Sequence, residues 1–214
     1  MITSRKISDP LGSSYPIPWD WVLKTHSQVS TAIDSDVRLH RTPDLMSPDG
    51  EYIAYSQITF QIVPQLHYCR LSSQVYVEDL DTGESFPVAP ASPIAVCGVS
   101  AIEAMQMQGT ISVGIPVSWS ETGDRLLIRQ FEGVLCTSEA TDYAVVWERR
   151  NHRTLTLAPT RLHYTHAILA GWSEQYNDRV LFRVSVMGDP PVLYAVNFSG
   201  VTLSAEGDRP KIYD

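Results

Sequence analysis

The side chains with the clearest potential for chemistry are few and scattered. His163 and His166 stand three residues apart, a spacing that lets two imidazoles share a metal on one helix face. Here they lie in Leu162-His163-Tyr164-Thr165-His166-Ala167, which reads as a loop entering a strand, and no acidic third ligand follows at a characteristic distance. His67 and Cys69 would point the same way on a strand, again without further ligands. Neither a metal nor a cofactor is expected. Carboxylates at Glu78-Asp79 and Glu206/Asp208 flank turns, whereas acid–base work needs two such groups converging in a pocket with separated pKa values. A serine hydrolase of the α/β type would carry G-x-S-x-G, which does not occur. There is no glycine-rich phosphate loop and no EF-hand spacing. No catalytic residue is assigned. If polar groups at the centre of the fold serve a small ligand or a hydrolysis, the candidates are His40, Asp49, His163 and His166.

The composition restricts partners. The chain has 214 residues, 43% hydrophobic and 19% charged, enough for one ordinary domain with a sizeable core. Lys plus Arg total 16 against 24 Asp plus Glu, a net charge of -8. Nucleic acid and anionic lipid require concentrated positive charge. The densest basic stretch, Glu148-Arg149-Arg150-Asn151-His152-Arg153, reads as a solvated turn. No nucleic-acid partner is expected. No window has the apolar length of a membrane span or of a signal peptide, so no membrane insertion and a cytoplasmic location are expected. Cys69, Cys97 and Cys136 match neither a disulfide framework nor a zinc ribbon, and read as mostly buried, reduced thiols.

The elements that would position any site are strands. Residues 1–21 form an N-terminal arm, kept extended by Pro16 and Pro18 and anchored by Trp19 and Trp21, which share a face if this piece is a strand. Residues 22–214 form one domain. From residue 42 onward, short runs of Val, Ile, Tyr and Phe alternate with turn residues, the signature of an all-β protein.

A unit recurs along that domain. Its copies begin at Met46-Ser47-Pro48-Asp49-Gly50, at Trp119-Ser120-Glu121-Thr122-Gly123-Asp124, and at Trp172-Ser173-Glu174-Gln175-Tyr176-Asn177-Asp178. Each has a bulky apolar residue, a serine, a polar turn and then an apolar strand. In the first copy Pro48 presets the turn, Asp49 bonds neighbouring backbone and Gly50 supplies the reversal. Further strands follow at 74–80, 143–148 and 192–198, and short last strands at 85–88, 154–157 and 201–204. A first strand precedes the serine, most clearly at 114–118 and 166–170. Four antiparallel strands per unit make a propeller blade. Trp119 and Trp172 are expected to fill the gaps between neighbouring blades.

Ser47-Pro48-Asp49-Gly50-Glu51-Tyr52-Ile53-Ala54-Tyr55 and Val75-Tyr76-Val77-Glu78-Asp79-Leu80-Asp81-Thr82-Gly83-Glu84 resemble the repeat of TolB-like β-propellers, within the broader WD-repeat-like class. The same repeat occurs in the propeller domains of prolyl oligopeptidase relatives. The second copy keeps Trp119-Ser120 and Gly123-Asp124, and the third keeps Trp172-Ser173 and Asp178-Arg179. The resemblance spans about residues 42–208 and implies blade architecture. The peptidase activity of those relatives does not carry over, because the chain has no room for their catalytic domain.

The spacing is uneven. Ser47 and Ser120 are 73 residues apart, Ser120 and Ser173 only 53. The surplus is an insertion near 93–112, where Ser100-Ala101-Ile102-Glu103 fits a capping box, Ile102 and Met105 share a face, and Gly109 fits a helix stop. Three blades are too few to close alone, since closed propellers have four to eight. The solutions are a degenerate fourth blade from 19–41 and 94–113, head-to-head pairing of two chains into six blades, or an open edge that docks on another protein. The function that follows is a non-catalytic interaction or scaffold module. Its partner is another protein or a second copy, and Trp19, Trp21, Ile102 and Met105 are the candidate contacts.

Overall fold

The computed structural model describes residues 9–29, 35–96 and 107–213. Strands dominate, and they fall into three successive blade-like sheets. In the first, β1 (Asp36–Arg41) and β2 (Leu45–Met46) together make one innermost strand, interrupted at Pro43, against β3 (Tyr52–Ile62), which pairs with β4 (Arg70–Asp79) and then β5 (Ser85–Val88). The second is β6 (Thr110–Trp119), β7 (Arg125–Val134), β8 (Ala140–Glu148) and β9 (Arg153–Leu157). The third is β10 (His166–Ser173), β11 (Arg179–Ser185), β12 (Val192–Asn197) and β13 (Thr202–Ser204), with β14 (Pro210–Lys211) added on the free side of β10.

All pairings inside the blades are antiparallel. One short parallel pair, Leu71 with Ile111 and Ser72 with Ser112, joins β4 to β6 and fuses the first two blades at one end. Gly109 stands at this junction with φ +77°, and a Cβ there would meet the His67 carbonyl oxygen at 2.6 Å. Only glycine satisfies both the left-handed backbone and that close approach. At the other end the sheets diverge, and the wedge is filled by Tyr52, Trp119 and Trp147, whose ring centroids lie 6.2–6.4 Å apart.

The alternation of apolar and polar residues places the cores. Along β3 the even positions Tyr52, Ala54, Ile58, Phe60 and Ile62 are buried. Ile58, Phe60 and Ile62 join Ile111, Val113 and Phe131 beneath the N-terminal segment. The seam between the first two blades takes Ala54, Val75, Val77, Trp119, Leu126 and Trp147. The seam between the second and third takes Leu127, Val146, Leu169, Trp172, Val180 and Phe182.

Three expectations change. The described part of the N-terminal segment, 9–18, is not extended but turns around Asp9, with the Gly12 N–H on the Asp9 carbonyl at 3.2 Å. Trp19–Val29 is a helix, α1, so Trp19 and Trp21 do not lie on a strand face. Pro18 suits a helix start, Val22 N–H bonds Pro18 O at 3.1 Å, and Asp20 in the first turn with His26 in the last complement the helix dipole. There is also no fourth blade among the described residues. The stretches proposed for it become α1, β1 of the first blade, the short helix α2 (Pro93–Val96) and the start of β6. Of the thiols, Cys69 is buried, whereas Cys136 is exposed on a turn. Cys97 and the candidate contacts Ile102 and Met105 lie outside the described residues.

Candidate functional site

The serines that open the three repeats are occupied in holding turns. Ser47 Oγ donates to Asp49 at 2.5 Å and accepts from Tyr52 N–H at 2.9 Å. Ser120 Oγ donates to Asp124 at 2.6 Å and accepts from Arg125 N–H at 3.1 Å. Ser173 Oγ accepts from Tyr176 N–H at 2.9 Å, but its carboxylate comes from Asp208, at 2.6 Å, thirty-five residues away. Asp178, the acid inside that turn, has a side chain 63% exposed and only a long contact to Arg179. Pro48 and Gly50 complete the first turn and Gly123 the second, each glycine at positive φ. A hydroxyl bound on both sides, with no imidazole beside it, is not an activated nucleophile.

Asp49 and the basic stretch also find structural work. Arg149 donates to Asp49 at 2.5 Å and to Glu51, and its guanidinium lies 4.2 Å from the centre of the Tyr52 ring. This clamp ties the second blade to the first. The Ser47 hydrogen bond, then Arg149, hold the Asp49 carboxyl down at about 2. His166 Nδ1 bonds the Ala140 carbonyl at 2.9 Å, and His163 is exposed. His40 packs against Trp21 at 5.0 Å, where burial lowers its pKa. No hydrogen bond links any two of His40, Asp49, His163 and His166, and no group of three metal-ligating side chains occurs among the described residues.

A buried ion cluster is the main polar feature that sequence reading missed. Arg129 on β7 donates to Asp9 at 2.6 Å and 3.2 Å and to Asp142 on β8 at 2.8 Å, and all three side chains are 0% exposed. Asp9 also accepts the N–H groups of Leu11, Ser13 and Ile17, and Asp142 accepts that of Leu169 on β10. The N-terminal segment is thereby locked to the second and third blades. Burial pushes Asp142 up to about 6, against the pull of Arg129. The pattern in the sequence gave one signal, an arginine at an otherwise apolar strand centre, Leu126-Leu127-Ile128-Arg129.

The outer face of the first blade carries exposed apolar side chains. Cross-strand partners share a face in an antiparallel pair. The registers Met46 with Ile53 and Tyr55 with Tyr76 therefore put these four on one side, opposite the core. Leu39 opposite Thr59 and Val37 opposite Gln61 extend the same side. Met46 is 59% exposed, Val37 56% and Leu39 62%. Arg41 covers the Tyr55 ring at 3.7 Å. Trp19 and Trp21 lie on the opposite, core side of this sheet in α1, half-buried, with Trp21 against Phe60 at 6.0 Å. Trp19, His40, Asp44 and Pro116 also line a cleft of about 470 Å³ beside the inner strands of the first two blades.

The seams, the satisfied turns and the open face together define an all-β protein of three antiparallel, propeller-like blades. No family model and no curated protein matches the chain. Among solved structures it is similar to puromycin hydrolase, with a TM-score of 0.35 and 9% sequence identity over 77% of this chain and 28% of that one. The chain thus spans little more than a quarter of that protein's length.

Proposed function

We propose that this chain is a non-catalytic interaction or scaffold module built from TolB-like blades, and that the outer face of the first blade is its contact surface. One observation carries the reading. In the second and third blades the face that bears the residue before the repeat serine is buried against a neighbour, through Trp119 and Trp172. In the first blade the same face, at Met46, has no neighbouring blade among the described residues and is 59% exposed. A contiguous apolar patch of this kind marks a contact site. The test is affinity purification from native extract with wild type and Met46→Glu. Wild type should bring a stoichiometric companion that the variant loses. Both proteins recovered alone would sink the reading.

A second reading, a small-ligand or hydrolytic site at the centre of the blades, is favoured by the cleft that Trp19, His40 and Asp44 line. Its measure is a screen against ester, phosphate and glycosidic substrates with His40→Ala as control. Activity that survives His40→Ala, or no activity at all, rejects it.

A further inference from the structure

We infer that residues 9–18 form a strap that Arg129 holds closed through Asp9, and that the strap loosens when Asp142 beneath it carries its charge. The inference goes beyond the interaction reading and does not depend on it.

The segment is organised around one carboxylate. Asp9 accepts the N–H groups of Leu11, Ser13 and Ile17 at 3.0–3.2 Å, so residues 9–17 turn about it as a unit. Among the described residues no strand pairing joins this unit to a blade. Its anchors are Leu11 and Ile17 on the core cluster, the Tyr15 hydroxyl on the Ala170 carbonyl at 3.3 Å, and the contacts with Arg129.

Arg129 is shared between the strap and the blades. Its guanidinium donates to Asp9 at 2.6 Å and 3.2 Å and to the Tyr15 carbonyl at 2.7 Å, all on the strap. Its Nε donates to Asp142 on β8 at 2.8 Å, and the other Asp142 oxygen accepts the Leu169 N–H of β10 at 2.9 Å. Asp9, Arg129 and Asp142 are all 0% exposed.

The charges in this cluster do not balance. One guanidinium faces two carboxylates, so full ionisation buries a net negative charge, which is costly. Two events relieve it. Asp142 takes up a proton, or Asp9 leaves with the strap and water enters. Burial already holds the Asp142 carboxyl up at about 6, and the Asp9 charge pushes the same way against the pull of Arg129. Asp9 and Arg129 are the charged groups that face Asp142. From β10 come the Leu169 N–H and, further along, His166, whose Nδ1 bonds the Ala140 carbonyl.

Linkage fixes the sign. Opening the strap removes the Asp9 charge and wets Asp142, and both changes lower its pKa toward the ordinary 3.8. The closed strap therefore binds the proton more tightly than the open one. It is held best below about pH 4 and loosens as pH rises through 6. Opening uncovers part of the apolar cluster of Ile58, Phe60, Ile111 and Phe131 on which Leu11 and Ile17 lie.

Amide hydrogen exchange at about pH 5 and about pH 7.5, corrected for intrinsic rates, reads the strap directly. The amides of Leu11, Ser13 and Ile17 should open about 10- to 100-fold more at the higher pH, tenfold for each unit of pKa difference. At both pH values they should be less protected than Val180 and Phe182 on β11. Asp142→Asn stays neutral and should keep the strap protected at both values. If that variant fails to fold, Asp9→Asn takes its place. It leaves one guanidinium facing one carboxylate, and the change with pH should shrink. Wild-type strap protection that is the same at both pH values overturns the inference. So does a change that persists undiminished in the folded variant, since another group then titrates. Strap amides as well protected as those of β11 overturn it too, because the segment then opens only with the whole fold.

Discussion

The indole nitrogen of Trp172 donates to the carbonyl oxygen of Trp119 at 3.1 Å. The indole of Trp119 donates in turn to the Leu45 carbonyl, also at 3.1 Å. The second and third blades are therefore each pinned to the one before by a buried tryptophan that supplies both apolar area and a hydrogen-bond donor to the neighbouring strand end. The series stops at Met46, whose side chain has no N–H to give.

Trp119→Phe and Trp172→Phe are expected to destabilise the fold by about 1–3 kcal/mol each, from lost volume and a lost indole hydrogen bond. Urea unfolding should show a lower midpoint with an unchanged slope. A loss below about 0.5 kcal/mol would mean that the seams do not depend on these rings.

Arg129→Met leaves the carboxylates of Asp9 and Asp142 buried without their counter-ion. The expected loss is about 3–5 kcal/mol, the typical result of removing one partner of a buried ion pair. Thermal unfolding of the purified variant gives the answer, and a near-neutral effect would contradict the cluster's burial.

Asp142 gives the protein a pH signature. Its folded pKa, about 6, lies above the ordinary 3.8, so the folded state holds the proton more tightly than the unfolded state. The stability it confers is complete below about pH 4 and is lost as pH rises through 6. Asp142→Asn mimics the protonated form. The stability of wild type minus that of the variant should therefore fall by roughly 1–3 kcal/mol between pH 4 and pH 7 and then level off. Unfolding curves at four pH values suffice, and a difference that is flat or rises contradicts the assignment.

Asp208→Ala and Asp178→Ala separate tertiary from local turn chemistry. Removing Asp208 strands the Ser173 hydroxyl proton and takes the side-chain acceptor from the N–H of Arg209, at a cost of about 2 kcal/mol. Asp178→Ala should stay within about 0.5 kcal/mol, as exposed substitutions do. Equal effects would place the third repeat's carboxylate at the wrong residue.

Gly171 has φ +141°, and a Cβ there would lie 3.0 Å from both Ile212 Cδ1 and the Lys211 carbonyl. Gly171→Ala should therefore dislodge β14 from β10. Limited proteolysis should cut the C-terminal segment faster, with the blade core intact. An unchanged cleavage rate would show that the segment can shift without cost.

The repeat was legible in the chain because a blade is a local object. A turn of Ser-Pro-Asp-Gly type and period-two strands need only near neighbours, so β3 to β5 and all of the second and third blades stand close to where alternation puts them. The helix at Trp19–Val29 was less legible. Its start follows two prolines that by themselves favour extension, and its apolar side forms only against Phe60 and its neighbours.

The sequence by itself determined three blades, their order and the tryptophans between them, since hydrophobic alternation and turn residues act over a few positions. The tertiary structure alone decided that Asp9 reaches Arg129 across 120 residues, that Asp208 completes the turn begun by Ser173, and that Met46 is left uncovered. Charge pairing and burial depend on which residues meet after the chain turns back. No local pattern encodes a partner supplied from so far along the chain.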